Sequence, residues 1–418
     1  MRCMNSSRHN RALRETLNSR PLCFFLSVGD ASADLYASML VKELRNIRKH
    51  IEFLGIGGPR MRDAGVFLFA ETTKYSAIGL FAALPYVLRV WSIFRRFLSL
   101  LMERRPDAFI ALDFGAVNRR LTKLTANMHI PTIYYVTPGF WTKKVESVKR
   151  YIHPKVIYVP IYEWQRNILL SAGASPDQVV YLGHPLADAI PSELTREAAE
   201  ARLGIQHKEP FEKPIRVALL PGSRVGEVKD NIGIMLDAIE HAKHLTGITE
   251  FELLIARSPT VSEALIARAV SKATKALSGA QVRIYSGMTH EVLKASDIAL
   301  VVTGTATLEA ALLGIPTIAI FSTNWLNRIH AIIINKTSFP FKEWGFISLP
   351  NRLIGEKVMP EFVLWSCKAE SIGMQIASWI SNPSEAEAVA NRLTSVRKII
   401  GERGTTRRVA ELIMSRIS

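Results

Sequence analysis

The stretch Leu300-Val-Val-Thr303-Gly304-Thr305-Ala306-Thr307-Leu-Glu309-Ala-Ala-Leu-Leu-Gly314-Ile-Pro316 reads as a buried strand that turns through small residues into a helix. Apolar residues 298–302 supply the strand and Gly304 permits a sharp turn. Gly314 then ends the helix and Pro316 starts the next strand. Strand, helix and strand in so short a span form the repeat of a doubly wound parallel sheet. The hydroxyls of Thr303, Thr305 and Thr307 are placed to cap the helix while its first N–H groups face outward, where a phosphate would fit. An ordinary capped helix, with Glu309 complementing its dipole, fits the same residues.

The pattern recurs at Val217-Ala-Leu-Leu-Pro221-Gly222-Ser223-Arg224-Val-Gly226-Glu227, again strand, small-residue turn and helix. Here the turn adds Arg224, a permanent cation whose fork suits two phosphate oxygens. Two such turns in one domain favour a diphosphate over a pair of merely capped helices. Neither ends in Gly-Lys-Ser/Thr, so neither is a P-loop. No Asp-x-Asp offers a carboxylate pair for a catalytic Mg²⁺, so no metal site and no cofactor is expected. Helix dipoles and Arg224 would then stabilise the leaving phosphate.

Outward from these turns, short apolar runs at 24–28, 51–56, 108–112, 132–136, 156–160 and 179–182 alternate with amphipathic stretches such as 32–48. After a polar, proline-containing interval the alternation restarts at 217–220 and continues through 251–256, 282–285, 298–302 and 317–321. The fold class expected is α/β: two doubly wound Rossmann-like domains with an interdomain cleft, ligands lying beyond the carboxyl ends of the strands. The divisions read as a basic disordered extension at 1–20, an N-terminal domain at 21–190 and a linker at 191–214 with a charged helical piece at 193–203. A second domain follows at 215–380, then charged helices at 381–418 that have room to pack back on the first domain.

The chain of 418 residues carries 53 Lys and Arg against 37 Asp and Glu, a formal charge of +16. That excess favours a polyanionic partner: nucleic acid, an anionic membrane surface or a phosphorylated substrate. The cations are spread along the chain and no zinc finger, RNP-like aromatic box or basic zipper occurs, so no nucleic acid is expected. Cys3, Cys23 and Cys367 are too few and scattered for a disulfide framework or a zinc site, which suits a reducing compartment. Before residue 21, Arg2, Arg8, Arg11, Arg14 and Arg20 face the single acid Glu15; the same composition resembles an organellar transit peptide, and no secretory apolar core follows. Residues 75–105 are strongly apolar but interrupted by Arg89, Arg95, Arg96, Arg104 and Arg105, short of the ~20 uncharged residues a membrane span needs. With Trp91, Phe94 and Phe97 they form either an amphipathic piece for an anionic membrane surface or a core helix with a basic outer face.

The first domain offers loops at its strand ends. In Ser27-Val-Gly29-Asp30-Ala-Ser32-Ala33-Asp34, Gly29 gives the turn and Asp30, Ser32 and Asp34 open the next helix, where acids also serve the dipole. Gly55-Ile-Gly57-Gly58-Pro59-Arg60-Met61 lets backbone approach a ligand closely. Asp113-Phe-Gly115-Ala116-Val-Asn118 puts a carboxylate at the end of the strand 108–112. His184, in Gly183-His184-Pro185-Leu-Ala-Asp188, is structural, bridges the lobes or touches a sugar.

Taken in order, the 29–34 loop, 55–61, Tyr135-Val-Thr-Pro138, 183–188, 220–224, 304–314 and Ser348-Leu-Pro350-Asn351 resemble the lipid-A-disaccharide synthase family from about 24 to 361. The resemblance implies an inverting, metal-independent glycosyltransferase of the two-lobed GT-B fold. Such an enzyme would join 2,3-diacylglucosamine from its UDP donor to 2,3-diacylglucosamine 1-phosphate, making a β-1,6 disaccharide and UDP. It implies that Gly222, Ser223 and Arg224 with Gly304, Thr305 and Ala306 hold the diphosphate, that Glu309 reaches the ribose, and that Asn351 lies near the donor. On the acceptor side it points to Ser32, Asp34, Gly57, Gly58 and His184. It also implies that 75–105 meets the membrane and acyl chains, a cytoplasmic site at the inner face of the inner membrane, and room for a homodimer.

The acceptor half departs from the family pattern. Where the family has Asp-x-Pro-Asp-Phe-Asn, this chain has Asp113-Phe-Gly115-Ala116-Val-Asn118, so the second acid is Ala116. The usual Gly-Glu-Ala-Ser-Gly-Asp becomes Gly29-Asp30-Ala-Ser32-Ala33-Asp34, and a Trp-Ala-Trp segment becomes Phe140-Trp141-Thr-Lys-Lys144. An inverting transfer benefits from a base at the acceptor hydroxyl, and with Ala116 that duty falls to Asp113 or Asp30. Another UDP-sugar transferase or epimerase on the same scaffold, or a UDP-sugar or lipid-binding relative, would keep the donor half alone.

Overall fold

In the computed structural model, residues 21–73, 87–137, 145–191, 193–273, 279–322 and 345–417 are described. The expected basic extension, residues 75–86 and the 140–144 segment lie outside them. The described residues up to 185, with those from 403 onward, form one compact unit; residues 186–402 form the other.

The first unit runs β1 (Leu22–Val28), α1 (Ala31–Ile47), β2 (Ile51–Gly57), α2 (Pro59–Asp63), β3 (Phe67–Glu71), α3 (Val87–Arg104), β4 (Ala108–Leu112), α4 (Gly115–Asn127), β5 (Thr132–Tyr135), α5 (Val145–Lys149), β6 (Val156–Val159) and α6 (Glu163–Ser171). Its parallel sheet has the order β3-β2-β1-β4-β5-β6. β4 and β5 are buried throughout, as strands covered on both faces must be. One core layer joins Phe25, Phe109, Tyr134 and Tyr158 of the strands to Phe97 and Leu101 of α3. Residues 179–182, expected as a strand, form none. Val179 makes a single parallel bridge to Tyr158, with Val180 N–H on Tyr158 O (2.9 Å), while Gln178 donates to His153 O (2.8 Å) and Val156 O (3.0 Å).

The second unit runs α7 (Leu186–Ala189), α8 (Arg196–Leu203), β7 (Ile215–Leu220), α9 (Val225–Thr246), β8 (Phe251–Arg257), α10 (Glu263–Ala273), β9 (Ala280–Ser286), α11 (Thr289–Lys294), β10 (Ile298–Val302), α12 (Thr305–Leu313), β11 (Thr317–Phe321), α13 (Leu349–Ile354), β12 (Glu361–Val363), α14 (Ala369–Ser381), α15 (Pro383–Leu393) and α16 (Val396–Ile400). Its strand order, β9-β8-β7-β10-β11-β12, repeats that of the first sheet. α14 packs along α9 and buries Trp379 completely.

Charge anchors α8 and the segment after it. Asp297 accepts from Arg196 Nη2 (2.7 Å), Lys208 Nζ (2.8 Å) and the N–H groups of Phe211 (3.0 Å) and Arg216 (2.8 Å). Arg216 in turn bridges Glu200 (2.5 Å) and Glu252 (2.6 Å). Such buried charges are tolerable only when every one is paired. The last helix, α17 (Thr405–Ser415), belongs to the first unit: it packs on α1, and Arg408 Nη2 donates to Leu182 O at 3.0 Å.

Candidate active site

In the second unit β7 and β10 are neighbours, with Leu220 opposite Val301. The strand order reverses between them, and ligands of such sheets sit beyond the carboxyl ends at that point. The turns 221–224 and 303–304 therefore leave the sheet side by side.

Gly222 has φ 119°, and a Cβ there would lie 2.6 Å from Cβ of Glu227. Arg224 is the N-cap of α9, and Glu227 stands at its third helical position. Glu227 Oε2 accepts the N–H groups of Ser223 (2.9 Å) and Arg224 (3.2 Å), while its Oε1 pairs with Arg224 Nη1 at 2.5 Å. On the other side Thr260 donates its hydroxyl to Ser223 O (2.6 Å). The turn is thus fixed within the chain, and what it presents is the Arg224 side chain, 31% exposed.

At the second turn Gly304, φ 154°, is the N-cap of α12 and has no side chain with which to cap it. Of the threonine caps expected from the sequence, that of Thr307 does not form. Thr307 instead donates its hydroxyl to Gly304 O (2.7 Å), and Thr303 N–H is held by Ile320 O (2.9 Å). Gly304 is exposed, with Thr305 and Ala306 half-buried, so the positive end of the helix lies at an accessible surface.

Two further donor candidates stand apart from the turns. Glu309 Oε2 lies 3.4 Å from His290 Nε2. Asn351 is fully buried in α13: its Nδ2 donates to Met359 O and Glu361 Oε1, both at 2.8 Å, and its Oδ1 accepts from Val358 N (2.9 Å) and Met359 N (2.8 Å). That uses the full capacity of the amide.

In the first unit the equivalent reversal lies between β1 and β4, where Val28 pairs with Leu112. Asp30 follows β1 as the N-cap of α1 and accepts Ala33 N–H at 2.7 Å. Asp113 follows β4 with φ 48°, and Phe114 follows with φ 49°. Two successive left-handed residues without glycine are costly and persist only where neighbours enforce them. Asn118 enforces them: its Nδ2 donates to Asp113 O (2.9 Å), Ser27 O (3.1 Å) and Leu112 O (3.2 Å). Tyr134 adds its hydroxyl to Asp113 O at 2.9 Å. A Cβ at Gly29 would meet the Phe114 ring at 2.4 Å, so the loops after β1 and β4 touch. Among the described residues the buried Ser27 Oγ, Asn118 Oδ1 and Thr137 Oγ1 at this end of the sheet have no hydrogen-bond partner.

Ser32, half-buried in the first turn of α1, is near this loop in the chain. Asp34 is buried, and its carboxylate accepts N–H groups of Gly58 (3.0 Å), Arg60 (3.0 Å) and Met61 (3.1 Å). Burial raises its pKa, and those three N–H groups pull it back down. Gly57 and Gly58 are shaped by this packing: a Cβ at Gly57 would lie 2.3 Å from Met61 Sδ, and one at Gly58 2.5 Å from Asp34 Oδ2. His184 is buried against Tyr36 (5.8 Å between ring centroids) and Tyr162 (5.0 Å), and burial pushes its pKa down to about 3.

The Arg224 turn and residues 304–306 thus follow paired strands, as do Asp30 and Asp113, while Asp34, Asn351 and His184 are engaged in packing. Glu227, Thr260 and Asn118 were missed by the sequence reading. The spacing of Glu227 three residues after the N-cap was the one available signal.

The lipid-A-disaccharide synthetase family model matches residues 24–414. Lipid-A-disaccharide synthase of Persephonella marina is 30% identical over 389 residues, 93% of this chain and 97% of that protein. The synthase of Anaeromyxobacter sp. is 31% identical over 386 residues, covering 92% and 95%. Among solved structures, a UDP-GlcNAc 2-epimerase from Neisseria meningitidis bound to UDP-GlcNAc aligns with TM-score 0.59 at 12% identity, covering 94% of this chain and 100% of that one. A glycosyltransferase from Rickettsia africae aligns with TM-score 0.51 at 12% identity, covering 96% and 99%. Those two likenesses show the fold, GT-B with two doubly wound units. The sequence match along nearly the whole chain shows more: the protein belongs to the lipid-A-disaccharide synthase family of glycosyltransferases.

Proposed function

We propose that this protein transfers 2,3-diacylglucosamine from its UDP donor to 2,3-diacylglucosamine 1-phosphate, forming a β-1,6 disaccharide and UDP. The observation that carries this reading is the pairing of β7 with β10 where the strand order reverses, because the Arg224 turn and the N-terminus of α12 follow those two strands. A leaving diphosphate requires two converging positive groups, and these fit it. In this reading Arg224, Gly304, Thr305 and Ala306 bear the diphosphate, Gly222 and Ser223 shape the first turn, and Glu309 reaches the ribose. Asn351 orders the chain behind α12.

The acceptor hydroxyl oxygen attacks the anomeric carbon, the bond from that carbon to the diphosphate breaks, and its electron pair leaves on UDP. The hydroxyl proton passes to a carboxylate. Asp113 serves as that base, standing at the end of β4 where the loops after β1 and β4 touch. Ser32, Gly57 and Gly58 border the acceptor, with Asp34 and His184 supporting that wall.

The enzyme works at the inner face of the inner membrane. α3 supports this: Trp91, Arg95 and Met102 follow one another along one exposed face, with the Arg95 guanidinium 4.7 Å from the Trp91 ring. Among the described residues no helix is long and apolar enough to cross a membrane. The test is to supply the purified protein with both acylated substrates and assay the disaccharide. UDP binding without product would sink the transferase reading and leave a binding protein.

A further inference from the structure

The first donor turn holds an anion of its own. Glu227 places its carboxylate on the N–H groups of Ser223 and Arg224, the pair a phosphate would otherwise use at that turn. The fit is close: Gly222 must lack a Cβ for Glu227 to approach, and Thr260 secures the Ser223 carbonyl from the far side. The second turn differs: its N-cap is Gly304, which brings no side chain to the helix N-terminus.

A diphosphate oxygen and the Glu227 carboxylate cannot share the same two N–H groups, and their like charges repel. Either the ligand evicts Glu227, or it leaves those groups alone. The ion pair between Glu227 Oε1 and Arg224 Nη1 decides between these options. It ties the carboxylate to the one cation the turn presents, and it fixes a long side chain that would otherwise lose rotamer freedom on binding.

Building on the donor reading above, we infer that Glu227 is a positioning residue for the donor diphosphate, acting through Arg224. It takes up the first turn's N–H groups and aims the guanidinium, so the anion is borne by that guanidinium and the N-terminus of α12. No bond forms or breaks at Glu227. Its removal misplaces Arg224 before any chemistry occurs.

Calorimetric titration of UDP, UMP and uridine into wild type, Glu227→Gln, Arg224→Ala and the double variant tests this. Glu227→Gln keeps an oxygen for the two N–H groups but loses the ion pair. UDP should weaken about tenfold and uridine less than about twofold. In the Arg224→Ala background the same change should alter UDP affinity less than about twofold, because the effect runs through the missing guanidinium. Donor KM should rise with kcat nearly unchanged. Tighter UDP binding in Glu227→Gln would make Glu227 a competitor of the ligand and overturn the inference. An undiminished loss in the double variant, or loss of uridine binding as well, would assign Glu227 to the backbone of the turn and overturn it equally. If wild type binds uridine no worse than UDP, the donor reading itself fails, a result separate from all of these.

Discussion

Leu220 and Val301 stand opposite each other in β7 and β10, so the turns that follow them leave adjacent strands at one end of the sheet. That single pairing puts two turns far apart in the chain at one end of the sheet, where ligands of such folds bind. Each turn alone would be a helix start; the proposed donor site needs both.

Arg224→Ala is therefore expected to weaken UDP about 10- to 100-fold, the loss of a charge-assisted fork on phosphate. Arg224→Lys should recover only part of this, since an ammonium keeps the charge without the paired donors. Unchanged UDP affinity in Arg224→Ala, measured by titration calorimetry, would remove the turn from the donor site.

Asp113 and Asp30 sit at the paired ends of β4 and β1, yet their circumstances differ. Asp30 is engaged by Ala33 N–H, whereas Asn118 and Tyr134 hold the Asp113 backbone in a left-handed conformation. Asp113→Asn should lower turnover by about 10²–10⁴ while UDP affinity stays within about twofold, as loss of a general base requires. Asp30→Asn should cost less than about tenfold, because an asparagine oxygen caps the helix as well as aspartate does. Initial rates of disaccharide formation decide the matter; the reverse ranking would make Asp30 the base.

His184 predicts a pH effect on stability. Burial pushes its pKa down from 6.5 to about 3, so between those values the unfolded chain binds a proton that the folded chain does not. Stability contributed by this neutral, packed ring is present above pH 6.5 and is lost as pH falls below it. At pH 5.5 the loss should be about 1 kcal/mol, a shift of a few degrees in the melting temperature. His184→Phe, which keeps a ring against Tyr36 and Tyr162, should melt with a smaller drop between pH 7.5 and 5.5. Equal drops in both proteins would show that His184 is not the group titrating.

The strands were legible where burial on both faces makes an unbroken apolar run, as in Ala108–Leu112 and Ile298–Val302. β3 and β12 were not: both are short and partly exposed along their length, so no buried apolar run marks them. The run at 179–182 misled for the converse reason: it is apolar, but it makes only a single bridge, Val179 to Tyr158, at the sheet edge. At the site, Gly222, Arg224 and Gly304 announced themselves through turn chemistry. Asp34 did not, because its partners Gly58, Arg60 and Met61 lie in another element and only folding brings them to it. An acid in a helix's first turn looks the same in sequence whether it faces a ligand or a neighbouring helix.

Ala116, where the resemblance puts the family's second acid, falls in the first turn of α4, after the left-handed Phe114 cap and Gly115. An aspartate in a helix's first turn complements the dipole. It would also add a carboxylate to the turn that begins at Asp113, where the acceptor proton must be received. Two outcomes are distinguishable. If Asp113 already performs the whole task, Ala116→Asp should leave turnover within about threefold, and the native enzyme is a working rearrangement of the family site. We expect instead a rise of about tenfold or more in kcat with UDP affinity unchanged, since a second acid would help hold the proton that Asp113 receives. Disaccharide formation by Ala116→Asp, compared with wild type and with Asp113→Asn carrying the same change, measures both. A fall in kcat in a folded, UDP-binding Ala116→Asp would show that this chain's acceptor site has been rebuilt around the alanine.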